Sequence, residues 1–194
     1  GIAASMSGGV VANFGTMTKP LHVGLAARNG VTAARLAQSG FTANPQAIEA
    51  RSGFYDAFYH GSPVDARPIE ELGKSYALET DGIRIKPYPC GGLTHPTIDA
   101  TLELCARHGI TAEMIESVDA AVTKNTYSRI AFRVPQNGIQ GRFCMPYLLA
   151  RAIIDGKIGV DVFTDQAVRE QNILGLGEKI EMRFDPHLKA NSAG

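Results

Sequence analysis

Lys86-Pro87-Tyr88-Pro89-Cys90-Gly91-Gly92-Leu93-Thr94-His95-Pro96 is the stretch whose reading decides the fold. Before it, Gly82-Ile83-Arg84-Ile85-Lys86 alternates apolar and basic residues, the pattern of a short half-buried strand. After it, Ile98, Leu102 and Cys105 recur at the spacing of one helix face. Thr94 or His95 suits the cap of that helix, and Pro96 suits its first turn. The expected order is therefore strand, tight turn, helix N-terminus. Gly91 and Gly92 allow the main chain to approach a ligand closely. The helix start offers unpaired N–H groups and a positive dipole end. Lys86 adds a full charge, and His95 can take or give a proton. Such a set suits holding a small carboxylate or phosphate while a proton moves. A plain strand-to-helix connection uses the same glycines and prolines, and spacing alone does not separate the two.

Composition narrows the rest. The 194 residues suffice for one large domain, or a domain with part of another, and 44% of them are apolar. Basic and acidic residues balance at 19 each, which argues against a nucleic-acid or anionic-membrane surface but leaves room for a local basic pocket. Trp is absent, so no base-stacking platform is expected. No apolar run is long enough to span a membrane. Gly1-Ile2-Ala3-Ala4-Ser5-Met6 lacks the basic flank and Leu-rich centre of a secretory leader. Cys90, Cys105 and Cys144 are sparse and odd in number, which fits free thiols in a reducing, cytoplasmic setting. His22, His60, His95, His108 and His187 show no metal-ligand spacing, so no metal is expected.

Along the chain, residues 1–12 read as the tail of a buried helix. Gly15, Thr16 and Thr18 lead into a helix from about Pro20 to Gln38, with Leu21, Leu25, Thr32 and Leu36 on one side and Gly40 as its stop. Lys19 and His22 lie three apart at its start, so their side chains can share a face. Residues 44–59 read as an aromatic helix and 61–68 as a boundary loop. Beyond the central turn, a helical turn is expected near Thr111–Ile115, strands at Val118–Val122, Ile130–Val134 and Ile180–Phe184, and a strong helix from Arg142 to Ile154. Thr164 is expected to cap a helix to about Leu174, and the last six residues are expected to fray. The expected domains are 1–65, helical, and 66–194, mixing short strands with helices. A cleft between two such layers would carry Lys19 and His22 on one wall and Lys86 to His95 on the other.

Four ordered stretches carry a family resemblance: Asn13-Phe-Gly-Thr-Met-Thr-Lys-Pro-Leu-His-Val-Gly24; Gly40-Phe41-Thr42 with Arg51-Ser-Gly-Phe54; Lys86-Pro-Tyr-Pro-Cys90 with Thr94-His95; and Arg142 to Ala152 with Asp155-Gly156. Together they resemble the MmgE/PrpD family, which includes 2-methylcitrate dehydratases, cis-aconitate decarboxylases and iminodisuccinate epimerases. The resemblance covers nearly the whole chain. It implies a mixed α and α+β fold: the end of a mostly helical domain, then a smaller α+β domain. It also implies an internal piece of a longer chain, usually a homodimer, with no cofactor. By the same resemblance Lys19 and Lys86 look like the two active-site lysines, and His95, which matches the Thr-His before the smaller domain's helix, is the expected catalytic histidine. Thr16, His22, Tyr88, Gly91, Gly92, Thr94 and Arg142 are the expected substrate-binding set. One departure stands out. Certain relatives, decarboxylases among them, place a histidine in the turn that here reads Cys90-Gly91-Gly92.

The implied substrates are small di- or tricarboxylates, and paired lysines suit them because a carboxylate leaving water must find a cation. The implied step is proton abstraction beside a carboxylate, with fixed cations stabilising the extra charge. Dehydration of 2-methylcitrate is the first expectation. Epimerisation by an isomerase of iminodisuccinate type is the second, and a piece that binds carboxylates without turnover is the third.

Overall fold

A computed structural model describes residues 1–59, 71, 73–74, 76–80, 82–130 and 132–188. The chain divides into two units, Gly1–Arg84 and Ile85–Gly194. The expected boundary loop at 61–68 and the expected fray at 189–194 lie outside the described residues.

The first unit is helical. It contains α1 (Ile2–Ser5), α2 (Thr18–Gln38), α3 (Phe54–Tyr59) and α4 (Ala77–Thr80). Helix α2 begins two residues before the expected Pro20, since that proline needs no hydrogen-bond acceptor in a first turn. It ends as expected at Gly40, whose φ of 85° turns the chain left-handed. There the Gly40 N–H bonds Ala37 O at 3.0 Å and the Phe41 N–H bonds Leu36 O at 3.0 Å, which satisfies two terminal carbonyls. The shielded face of α2 runs through His22, Leu25, Asn29, Thr32, Ala33 and Leu36, while Leu21, expected on that face, is exposed. α1 packs on α2, and Asn29 Nδ2 donates to Met6 O at 2.7 Å.

Two expectations for this unit are corrected. Residues 1–12 are not a buried helix: α1 is one turn, a 3-10 turn follows at Val11–Asn13, and neither buries a residue. Small side chains give a helix little to bury, and Gly8-Gly9 interrupts it. Helix occupies only the end of 44–59, because residues 45–53 form successive turns that include Ser52 at φ 61°.

The second unit is α+β. In chain order it contains α5 (His95–His108), β1 (Val118–Val122), α6 (Lys124–Arg129), α7 (Gly138–Gly141), α8 (Met145–Asp155), α9 (Gln171–Gly177) and β2 (Ile180–Phe184). The two strands pair in parallel, with Val118 opposite Ile180 and Val122 opposite Phe184. A parallel pair needs a long crossover, and α6 to α9 supply it. Alternation places Ala120, Val122, Ile180 and Met182 on the buried face.

α8 is the centre of this unit. Every residue from Met145 to Ala152 is buried, and the helix packs against α5, α9 and β2. It starts at Met145 rather than Arg142, because Pro146 fits only a first turn and residues 142–144 complete the turn after α7. The expected strand at 130–134 reduces to a single bridge between Phe132 and Cys144, since α6, capped by the Thr123 side chain, occupies the chain up to Arg129. The expected helix after Thr164 is split. Thr164 Oγ1 does accept the Ala167 N–H at 3.0 Å, but only a 3-10 turn follows before α9.

One charge sits inside this apolar helix. The Arg151 side chain is 5% exposed and binds Asp155 at 3.1 Å and Glu170 at 2.9 Å. It also donates to Tyr147 Oη at 3.1 Å and Ala167 O at 2.8 Å. Tyr147 in turn donates to Val162 O. Removing one partner from such a set strands the others. Arg151→Ala is expected to cost about 3 kcal/mol, the low end for a broken buried pair because Glu170 keeps some water. Urea unfolding of the variant measures it, and a loss under about 0.5 kcal/mol would mean the network does not support the fold.

Candidate active site

The central turn is built from its own side chains. Residues 82–86 form no strand, and Ile83 and Ile85 are 80% and 89% exposed, so the expected half-buried strand is absent. Apolar alternation makes a strand only where a neighbour covers one face, and no described residue does. From Pro87 the chain bends, passes through a 3-10 turn at Gly92–Thr94 and enters α5. Pro96 sits in the first turn as expected, and Gly109 ends the helix.

The two glycines play different parts. The Gly91 N–H bonds Arg142 O at 2.9 Å, and a Cβ at Gly91 would lie 3.0 Å from the Phe143 ring. The close approach that requires Gly91 is thus to the protein itself. Gly92 is open: a Cβ there would meet only Lys86 Cε, at 3.9 Å. The Gly92 and Leu93 N–H groups open the 3-10 turn and meet no acceptor among the described residues.

Thr94 occupies the cap position of α5 without capping it. Its hydroxyl donates back to Gly91 O at 2.7 Å and lies 3.3 Å from Cys90 Sγ. Lys86 Nζ donates to Cys90 O at 3.2 Å, so its charge lies over the turn. Burial pushes the Cys90 thiol up, against the Thr94 hydroxyl and the charges of Lys86 and Arg142. It stays protonated and is no nucleophile at neutral pH.

His95 is the unusual group. It is 9% exposed, and its Nε2 is buried with no hydrogen-bond partner among the described residues. Burial first, and then the Lys86 charge, push its pKa below the ordinary value. The Cys90 and Tyr88 carbonyls and Asp99 pull the other way, although neither carbonyl closes a bond on Nε2. Tyr88 stands edge-on to His95, with ring centres 5.3 Å apart, and its hydroxyl donates to Asp99 at 2.6 Å. That bond, more than burial, raises the Tyr88 pKa to about 12.

Lys86, Tyr88, Gly91, Gly92, Thr94, His95 and Arg142 therefore meet in one unit. Arg142 joins through its carbonyl, while its exposed guanidinium lies 5.5 Å from the Phe163 ring centre. Lys19, His22 and Thr16 belong to the other unit. Lys19 Nζ lies 4.2 Å from the Phe14 ring centre. His22 faces Gly9 and lines a cavity of about 480 Å³ with Thr18, Arg28 and Asn29. Thr16 donates to Asn13 O at 2.8 Å and accepts the Thr18 N–H at 3.2 Å, shaping the entry to α2. Asp99 was missed in the sequence. Its signal was the i, i+4 spacing from His95, which places both on one face of α5. Among the described residues no group of three or more potential ligands could hold a metal, and no helix is long and apolar enough to cross a membrane.

Residues 1–67 match the MmgE/PrpD N-terminal domain and residues 88–193 the MmgE/PrpD C-terminal domain. The chain belongs to the MmgE/PrpD family. Its relatives include cis-aconitate decarboxylase of Mus musculus, 29% identical over 95% of this chain and 38% of that protein. The cis-aconitate decarboxylase of Homo sapiens is 27% identical over 95% of this chain and 39% of its own length. That of Aspergillus terreus is 26% identical over all of this chain and 44% of the relative. The chain thus spans about two fifths of the length of the relatives it matches.

The His95 environment has a measurable sign. Lys86→Met removes a charge that disfavours imidazolium, so the His95 midpoint is expected to rise toward the ordinary value of about 6.5. Because the folded pKa is lowered, the unfolded chain binds more protons between the folded value and about 6.5. His95 therefore stabilises least at acid pH, and its contribution returns as pH rises through about 6.5. Histidine NMR titration with and without Lys86→Met checks both signs. An unmoved midpoint would remove Lys86 from the His95 environment.

Proposed function

We propose that the protein containing this chain is a cofactor-independent lyase acting on a small di- or tricarboxylate. One observation carries the reading. The Lys86 ammonium, two N–H groups with no acceptor among the described residues, and a buried imidazole whose Nε2 has no partner among them share one helix start. The N–H groups and Lys86 are donors for a substrate carboxylate, which binds in place of the Lys86–Cys90 O bond. A carboxylate held this way stabilises the extra negative charge that appears when the neighbouring carbon loses a proton. His95, neutral at working pH, accepts that proton as the turn yields to the substrate. It then returns the proton to the leaving hydroxyl, and an alkene and water depart. Its sealed Nε2 keeps bulk water from competing for the proton. Lys19 and His22 are proposed as further carboxylate-binding groups on the strength of the resemblance.

2-Methylcitrate dehydration remains the first reading. Cis-aconitate decarboxylation is the second, favoured by what the relatives are called. Against it stands the turn, where Cys90, a protonated thiol, offers no proton shuttle at neutral pH.

The test is turnover by the protein at its natural length of 2-methylcitrate, citrate, cis-aconitate and iminodisuccinate. Water loss or carbon dioxide release separates dehydration from decarboxylation. Lys86→Ala is expected to lower kcat/KM about a hundredfold or more, the usual cost of losing a charged group at developing charge. Gly92→Ala has room in the free protein, so it is expected to leave stability unchanged while raising KM. Full activity in both variants would remove this turn from catalysis.

A further inference from the structure

The Tyr88–Asp99 bond is the strongest contact around His95, and the proposed reaction does not use it. Tyr88 lies in the bend ahead of the 3-10 turn and Asp99 lies one helical turn after His95, so the pair flanks the imidazole from two segments. The hydroxyl reaches Asp99 Oδ1 at 2.6 Å, and the tyrosine ring stands at 85° to the imidazole. A short bond to a carboxylate is among the firmer tethers available to a side chain. With no partner on Nε2 among the described residues, the ring orientation and tautomer rest on what meets the rest of the imidazole: the Cys90 and Tyr88 carbonyls and the Tyr88 ring.

We propose that Tyr88 and Asp99 form a positioning pair that holds the His95 imidazole in one orientation for proton transfer. The pair rests on the reading of His95 as the proton-handling group. Tyr88 supplies the wall and Asp99 fixes the wall. Asp99 also places a negative charge near the ring, opposing Lys86, so that the imidazole stays within reach of protonation despite its burial. The titratable and charged groups that face His95 are Lys86, Tyr88, Cys90 and Asp99. Arg142 acts on Cys90 beside it. α8, packed against α5, carries Arg151 and Asp155, and Arg151 binds both Asp155 and Glu170.

The test reads the ring directly. Long-range nitrogen–proton NMR reports the His95 tautomer and titration, with His95→Gln assigning the signal. Unsubstituted protein is expected to show a single tautomer. Tyr88→Phe keeps the ring but loses the tether, so mixed tautomers are expected. Asp99→Asn is expected to do the same and to move the His95 midpoint lower still, since a favourable charge is gone. Asp99→Glu is expected to restore most of both. In the natural-length enzyme, Asp99→Asn is expected to lower kcat about tenfold, a share of what a positioned acid–base group contributes. KM should change by less than about twofold, and the acid limb of the kcat profile should move down with the NMR midpoint. Unchanged tautomer and midpoint in both Tyr88→Phe and Asp99→Asn would overturn the pair. If the NMR changes appear but no polycarboxylate is turned over by the unsubstituted protein, the positioning stands and the proposed function falls.

Discussion

Eight consecutive buried residues, Met145 to Ala152, leave α8 no face for water, and this constraint organises the second unit. A helix of that kind must be wrapped on all sides. α5, α9 and β2 do the wrapping, which explains why a sheet of two strands among the described residues suffices. The strands need no broad apolar surface of their own, because the helix supplies it. Fully burying each large aliphatic side chain contributes about 1.5–3 kcal/mol, so Met145, Leu148 and Leu149 outweigh any surface ion pair here. Arg151 is the exception inside this helix. It is tolerated because four partners meet it, and it ties α8 to the segment carrying Ala167 and Glu170.

The candidate site inherits its shape from that helix. Arg142 and Phe143 stand just ahead of α8, and they hold Gly91 by a hydrogen bond and by ring contact. Thr94 then closes the turn on Gly91 O. These contacts use up polar groups that a ligand would otherwise find. Among the described residues, what stays open is the Gly92 and Leu93 N–H groups, the Lys86 ammonium on one carbonyl, and His95 Nε2. Fold and chemistry are divided residue by residue within one turn. Gly91 and Thr94 serve the fold; Gly92 and Lys86 remain available.

Much of this was legible in the sequence where a local signal governs the structure. Gly40 ends α2 because a left-handed residue satisfies the last carbonyls whatever packs outside it. Pro96 marks the first turn of α5 for an equally local reason. β1 and β2 were visible because their alternation is used: one face is buried. The same alternation at 82–86 misled, since Ile83 and Ile85 have no covering layer among the described residues. Periodicity reports a capacity to bury a face, and only tertiary contact uses it. The split of 164–177 depends on loop hydrogen bonds such as Thr164 with Ala167, which spacing does not encode, whereas the late start of α8 follows a local signal, Pro146. At the site, residue types and their clustering at the helix start were readable. The direction of the Thr94 hydroxyl, the filling of Gly91 by Phe143 and the part played by Asp99 were not, because each depends on which of several nearby partners wins.

The balance at His95 shows why charge content alone could not define this site. The chain is formally neutral, yet Lys86 and Asp99 act on one imidazole with opposite sign. Burial tips the balance toward the neutral ring, and a neutral ring is the form that can accept a proton. If Lys86 moves onto a substrate carboxylate, that carboxylate screens its charge, and the imidazole is then left mainly with Asp99. Under the proposed function, protonation would then be easier with a carboxylate bound than without one. Proton affinity would thus rise with occupancy, without any movement of the helix that carries His95.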